Sequence, residues 1–123
     1  MLEERIVSAV KQITGDSGIL LGEEVSERKA GIWIKEPIKA QAIIRPKNTQ
    51  ELSKILTLCN KNQLCVVPHG GLTGLSEGAL TKPNEIVIST EHMANIEEID
   101  PIGRTLTETW LSFSCTNNVS LAY

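Results

Sequence analysis

The chain has 123 residues, of which 41% are hydrophobic and 22% charged, a composition typical of a single globular domain with one core. Its net charge of -3 and its scattered Lys and Arg residues argue against a nucleic-acid-binding surface. Charged residues begin at Glu3, and no apolar stretch approaches the roughly 20 residues of a membrane span. We therefore expect no signal peptide and no membrane span, and predict a cytoplasmic protein.

Cysteine and histidine are too few and too dispersed for a disulfide framework or a metal site. The three cysteines include no Cys-x-x-Cys pair, and the two histidines, His69 and His92, are far apart. Cys59 is predicted on the apolar face of a helix and Cys65 inside a buried strand, where thiols are usually inert. We predict no metal.

The first predicted element is an amphipathic helix that Gly15 ends, with Glu3 and Glu4 in its first turn. Its apolar residues recur at helical spacing and are Leu2, Ile6, Ala9, Val10 and Ile13. The stretch from residue 18 to residue 37 supports no assignment. Within it, Trp33 is interpreted as a lid or packing residue rather than a catalytic one.

A second helix is predicted to begin after Asn48, whose side chain can accept the N–H of Glu51 while Glu51 reaches back. The helix ends near Asn62, and its apolar face is formed by Leu52, Ile55, Leu56 and Cys59. Strands are predicted at residues 42–44, 64–67 and 86–89, with weaker patterns at 95–99 and 104–107. The order strand, helix, strand implies a right-handed parallel crossover, which places residues after 67 at the carboxyl end of a parallel strand. Open α/β sheets bind ligands at that end.

The most informative motif is the loop at residues 68–79, which contains four glycines together with Thr73 and Ser76. Glycine tolerates positive φ and lets backbone N–H groups approach a ligand, so this composition is typical of a phosphate-binding loop. From composition alone, a simple turn between strands is the alternative. The spacing matches neither the P-loop nor the Rossmann glycine pattern. No helix pattern follows, so a phosphate here would be held by backbone N–H groups without a helix dipole.

The sequence PHGGLTGLSEGA at residues 68–79 resembles the pyrophosphate loop of FAD-linked oxidoreductases of the vanillyl-alcohol oxidase and p-cresol methylhydroxylase type. Three further stretches are similar to the same family: IIRP with NTQEL at residues 43–52, IVIS with MANI at 86–96, and IDP with RTLT at 99–107. The chain is most similar to the branch of 2-hydroxy acid dehydrogenases, which includes D-lactate, glycolate and D-2-hydroxyglutarate dehydrogenases. Order and spacing are kept from about residue 42 to residue 107.

The resemblance implies an α+β fold, with a small parallel sheet and flanking helices followed by the start of a second, antiparallel subdomain. It divides the chain into an N-terminal helix and variable segment (residues 1–41), a partial FAD-binding domain (42–107) and an atypical tail (108–123). It implies FAD as cofactor, bound through Pro68, His69, Gly70, Gly71, Leu72, Thr73, Gly74, Leu75 and Ser76. It also implies oxidation of a 2-hydroxy acid by hydride transfer to the flavin in a full-length relative, with no catalytic residue assigned in this chain.

Three loop residues depart from the family pattern. Leu72 replaces the usual Gly or Asn, and a positive φ there would cost about 1 to 2 kcal/mol. Glu77 replaces Gly, and its carboxylate must point away from a bound phosphate to avoid repulsion. His69 replaces Arg or Gln, and we weigh equally a contact to the cofactor and a half-exposed loop histidine. Covalent attachment of the flavin to His69 is not expected, because the histidine that carries it in some relatives follows the glycine pair.

The last fifteen residues contain no charge but hold three of the four aromatic residues, Trp110, Phe113 and Tyr123. This break favours an interruption of the reading frame near residue 108, with a divergent but genuine terminal strand as the alternative. We therefore expect a fragment that is inactive alone. The other hypotheses are a phosphate-binding module completed by a partner chain and an inert gene fragment.

Overall fold

The computed structural model describes residues 1–108. The helices are α1 (Glu4–Thr14), α2 (Glu23–Ser26) and α3 (Thr49–Lys61), with a short 3-10 turn at Asp16–Gly18. The strands are β1 (Ile19–Leu21), β2 (Ala42–Ile44), β3 (Cys65–His69), β4 (Glu85–Ser89), β5 (Ile96–Asp100) and β6 (Thr105–Glu108). All five predicted strands and both predicted helices are present, with ends shifted by one or two residues.

Four strands form the main sheet in the order β1-β2-β4-β3. Strand β4 runs parallel to both β2 and β3, and its residue Val87 pairs with Ile43 on one side and Val67 on the other. Strand β1 is antiparallel to β2. The predicted parallel sheet and the α+β class are therefore confirmed. The local pattern did not indicate that β4 lies between the two strands that α3 connects.

The two faces of the sheet are covered by different elements. The alternation of side chains in β2 and β4 directs Ile44 and Ile86 towards the first core cluster, which Val10 of α1 and Ile55 of α3 complete. Ile43 and Val87 belong to a second cluster on the other side, with Leu20, Val25, Ala30 and Ile38. Because both faces are buried, β2 and β4 are continuously apolar, as central parallel strands usually are.

The caps of the two long helices follow the sequence signals. Gly15 ends α1 with φ +80°, and its N–H donates to the Lys11 carbonyl. At α3, the Asn48 side chain accepts from the N–H of Glu51 at 2.8 Å. The Glu51 carboxylate reaches back to the N–H of Lys47 at 2.8 Å, one residue further than a standard capping box.

Strand β1 and helix α2 lie in the stretch that the sequence left unassigned. A three-residue strand shows too few residues for an alternating pattern, so periodicity could not reveal it. Trp33 in the same stretch is 79% exposed, so it is not a packing residue within residues 1–108, and its interpretation as a lid residue stays a prediction.

Two further expectations about burial are wrong. Cys65 is exposed, because β3 is the edge strand of the sheet rather than a buried one. Leu56 was placed on the apolar face of α3, but it is 45% exposed. Cys59 is buried as predicted, and its burial raises the pKa of the thiol.

Strands β5 and β6 form a separate antiparallel pair, as the resemblance implied. Asp100 supports the connecting turn, since its side chain accepts from the N–H groups of Ile102 at 2.9 Å and Gly103 at 3.0 Å. Apart from Glu108, which ends β6, the tail predicted at residues 108–123 lies outside the described residues. Within residues 1–108, no helix has the length and apolar character needed to cross a membrane.

Replacing Ile55 with alanine should lower the free energy of unfolding by about 2 to 5 kcal/mol, because it opens a cavity in the first core cluster. The neighbouring Leu56→Ala substitution is the matched control, and we expect about 0.5 kcal/mol or less from this partly exposed position. Urea denaturation of both variants measures the difference. Equal losses would contradict the observed orientation of α3.

Candidate cofactor site

The carboxyl ends of the three parallel strands lie at the same edge of the sheet. Arg45 follows β2, His69 ends β3, and Ser89 ends β4 directly opposite His69 in the register. The glycine loop, defined here as residues 70–78, begins at this edge, immediately after β3, as the crossover predicted. This is the position at which open α/β sheets bind ligands.

His69 joins the two ends of the glycine loop. Its ring is buried, with 3% of the residue exposed, and Nε2 lies 2.7 Å from the carbonyl oxygen of Ala79. Because a carbonyl only accepts hydrogen bonds, Nε2 carries the proton and donates it. The expectation of a half-exposed loop histidine is therefore wrong. Burial lowers the pKa of His69, and the bond to Ala79 only partly opposes this effect.

The backbone carbonyl of His69 is hydrogen-bonded to the residue that follows the neighbouring strand. Thr90, which follows β4, donates to the carbonyl of His69 both from its N–H at 3.0 Å and from its hydroxyl at 3.2 Å. Ala79, at the far end of the loop, packs against the second core cluster. Both ends of the loop are therefore fixed to the core, while the residues between them extend from it.

Backbone strain in the loop falls on residues other than glycine. Leu72 has φ +56° and Glu77 has φ +60°, whereas none of the loop glycines has positive φ. The cost anticipated for a β-carbon at Leu72 therefore applies, at about 1 to 2 kcal/mol. Glu77 is exposed to solvent, as a loop beside a phosphate would require.

The loop glycines leave backbone open instead. A β-carbon added at Gly71, Gly74 or Gly78 would meet no atom within 4 Å. No packing of the described chain demands glycine at these positions, so their effect is an uncovered backbone that a ligand can approach closely. Of the predicted binding residues, Leu72 is half-buried and His69 buried, whereas the others are exposed: Pro68, Gly70, Gly71, Thr73, Gly74, Leu75 and Ser76.

Sequence reasoning missed an ion cluster at this edge. The Glu91 carboxylate accepts from Arg28 at 2.7 Å and from Arg45 at 3.1 Å, and Arg45 also donates to the carbonyl of Ser17. Burial alone would raise the pKa of Glu91, but the hydrogen bonds and charges of the two arginines outweigh it and lower the pKa. Arg28 and Glu91 are 63 positions apart, so no local pattern could have connected them.

A cavity of about 170 Å³ separates the start of the glycine loop from the segment that follows α2. Its lining includes Arg28 and Lys29 on one side and His69, Gly70 and Leu72 on the other. The two cationic side chains outnumber the single carboxylate of the lining, Glu91, so the cavity suits an anion.

A larger cavity of about 590 Å³ lies beside α1 and β1, away from the loop and mainly apolar. Among the described residues, no three His, Cys, Asp or Glu side chains are grouped to hold a metal ion.

The comparison with known families agrees with this geometry. The sequence model described as "FAD binding domain" matches residues 40–108, which is more than half of the chain. The chain belongs to the FAD-binding domain family. The cofactor of this family is FAD, as the resemblance implied, and the open loop with its cationic surroundings fits the pyrophosphate of that cofactor.

Curated relatives of this FAD-binding domain are named as dehydrogenases or oxidases of 2-hydroxy acids. It is 39% identical over 102 residues to a rice protein (Oryza sativa subsp. indica) named "Probable D-2-hydroxyglutarate dehydrogenase, mitochondrial", covering 82% of this chain and 18% of that protein. It is 39% identical over 66 residues to the glycolate oxidase subunit GlcD of Bacillus subtilis, covering 54% of this chain and 14% of the relative. The chain thus spans about a fifth or less of the length of these relatives.

Solved structures show the same fold at low sequence identity. Alkyldihydroxyacetonephosphate synthase superposes with a TM-score of 0.69 at 14% identity, over 81% of this chain and 21% of the other. p-Cresol methylhydroxylase gives a TM-score of 0.64 at 14% identity, over 80% of this chain and 20% of the other. The FAD-binding domain therefore has the fold of the family that the loop sequence indicated.

The lowered pKa of His69 predicts a pH dependence of stability. Below about pH 6.5 the unfolded histidine binds a proton that buried His69 does not. The free energy of unfolding should therefore fall with pH from 6.5 down to the lowered folded pKa, by at most about 1.4 kcal/mol per pH unit.

The measurement is urea denaturation between pH 7.5 and pH 5. The His69→Gln variant should lose this part of the slope, whereas the His92→Gln control, which keeps His69, should retain it. The same slope in the wild type and in His69→Gln would show that His69 does not carry the effect.

Proposed function

We propose that residues 68–76 hold the pyrophosphate of FAD. The observation that carries this proposal is a loop of uncovered backbone at the carboxyl end of parallel strands, fixed at both ends by the hydrogen bond from His69 to Ala79. The residues are Pro68, His69, Gly70, Gly71, Leu72, Thr73, Gly74, Leu75 and Ser76.

Charge and hydrogen-bond donors support an anion at this position. Thr73 and Ser76 are exposed in the loop, so their hydroxyls are available beside the backbone N–H groups. Arg28 and Lys29 line the adjoining cavity. Glu91 is paired with two arginines, so its carboxylate repels a phosphate less than an unpaired one would.

We further propose that the chain forms part of a flavin-dependent dehydrogenase or oxidase for a 2-hydroxy acid, because its relatives are named for D-2-hydroxyglutarate and glycolate. Bound FAD supplies a hydride acceptor for such a reaction. This chain's residues bind and orient the cofactor, and we assign none of them a role at the reacting carbon.

The proposed organisation keeps residues 42–107 as the part that binds the cofactor. Residues 1–41 contribute α1 and β1 to the same core, so they support the sheet that positions the loop.

Cytoplasmic localisation stays a prediction. The rice relative is named as mitochondrial, which does not support it.

Calorimetric titration of the purified chain with FAD tests whether the loop binds the pyrophosphate. Gly71→Ala and Gly74→Ala should weaken FAD binding roughly 10-fold or more. The added methyl group would stand where a phosphate approaches the backbone, and it would prevent a charge-assisted hydrogen bond from the N–H group. Neither substitution should change stability through contacts within the described chain, because the space around both positions is open.

Gly78→Ala is the matched control, since it has the same open surroundings but lies outside residues 68–76. We expect it to bind FAD as the wild type does, and riboflavin, which lacks the pyrophosphate, to bind none of the proteins saturably. Unchanged FAD affinity in Gly71→Ala and Gly74→Ala would overturn the assignment of the loop.

A further inference from the structure

The segment at residues 29–37, called here the 29–37 loop, is tied together at its two ends. The backbone of Lys29 bridges that of Pro37, and the N–H of Ile38 donates to the carbonyl of Arg28 at 2.9 Å. Arg28 is in turn fixed to Glu91 by the 2.7 Å ion pair. The 29–37 loop is therefore anchored to the same edge of the sheet as the glycine loop.

The tip of the 29–37 loop presents uncovered apolar surface. Ile32 is 75% exposed and Trp33 is 79% exposed, whereas Ile34, the next residue, packs against the second core cluster. Single exposed apolar side chains are common on protein surfaces, whereas two large ones side by side on an anchored loop indicate a binding surface.

This surface adjoins the glycine loop. A β-carbon built on Gly31 would lie 3.5 Å from the carbonyl oxygen of Leu72, so the backbones of the two loops approach each other closely there. Trp33 is two residues further along, which limits its Cα to about 7 Å from that of Gly31. The cations Arg28 and Lys29 line the cavity between the loops. An aromatic residue thus stands two positions from the point where the 29–37 loop approaches a site suited to phosphate, and FAD carries an aromatic ring system on each side of its pyrophosphate.

We propose that Trp33 stacks on an aromatic ring of FAD bound at the glycine loop, either the adenine or the isoalloxazine. This inference rests on the proposed function of residues 68–76. An indole face stacks on any planar heteroaromatic ring, whereas Ile32 offers apolar surface without a π face. Trp33 is accordingly a binding residue that positions the cofactor.

Calorimetric titration with FAD gives the first test. Trp33→Ala should raise the dissociation constant roughly 10-fold, as loss of one stacked ring does, and Trp33→Phe should keep most of the affinity. Ile32→Ala is the matched control, because it removes a neighbouring side chain of similar exposure. It should leave the dissociation constant within about twofold, as a side chain without a π face contributes no stacking.

The second readout is the indole N–H resonance of Trp33 in a proton–nitrogen correlation spectrum, identified by its loss in Trp33→Phe. It should shift on saturation with FAD, because a stacked ring changes the local magnetic field. ADP and FMN carry one ring each, so the compound that shifts this resonance identifies the ring.

The two hypotheses fail in different ways. Saturable FAD binding with unchanged affinity in Trp33→Ala and an unmoved indole resonance would overturn the role of Trp33 and leave the glycine loop intact as the FAD site. A wild-type chain that binds no FAD would overturn both.

Discussion

The hydrogen bond from His69 to the carbonyl of Ala79 is the interaction on which the site depends. It crosses a loop of nine residues, 70–78, whose side chains are mostly exposed and in which Gly71, Gly74 and Gly78 have open space where a β-carbon would stand. Without a fixed closure, such a loop would sample many conformations, and a ligand would have to order it at an entropic cost. The buried ring of His69 removes much of that cost before a ligand arrives.

That closure relies in turn on the order of strands in the sheet. His69 is positioned by its register with Ser89 and by the two hydrogen bonds that its carbonyl accepts from Thr90. Strand β4, like β2, is buried on both faces by the two core clusters, so packing fixes its position in the sheet. The insertion of β4 between β2 and β3 therefore links the packing of the core to the shape of the loop.

The carboxyl edge of the sheet is locally cationic, although the chain as a whole is acidic. The net charge is -3, yet Arg28, Lys29 and Arg45 gather around one carboxylate, Glu91. The pairing lowers the pKa of Glu91 and holds the 29–37 loop against the sheet. An anionic ligand thus meets a locally cationic surface on a chain that is acidic overall.

Local signals in the sequence were sufficient for the two long helices, for β2 to β6 and for the position of the loop, but not for β1 and α2. The 3.6-residue period defined α1 and α3, and the side chain of Asn48 marked the start of α3. Strand order carries no local signal, so Cys65 was assigned to a buried strand although β3 lies at the edge. Contacts between distant positions, such as Arg28 with Glu91, depend on the completed fold. The departure of Leu72 from the family pattern raised a positive φ at that residue, whereas Glu77 was considered only for its charge, and its positive φ was missed.

Selective labelling of glycine with nitrogen-15 reports on contacts between the loop amides and the cofactor, since the chain has only nine glycines to resolve. On titration with FAD, the amide resonances of Gly70, Gly71 and Gly74 should shift strongly as their N–H groups contact phosphate, while that of Gly22, which follows β1 at the opposite end of the sheet, should stay in place. FAD binding that leaves the three loop resonances unmoved would show that the cofactor is held elsewhere in the protein.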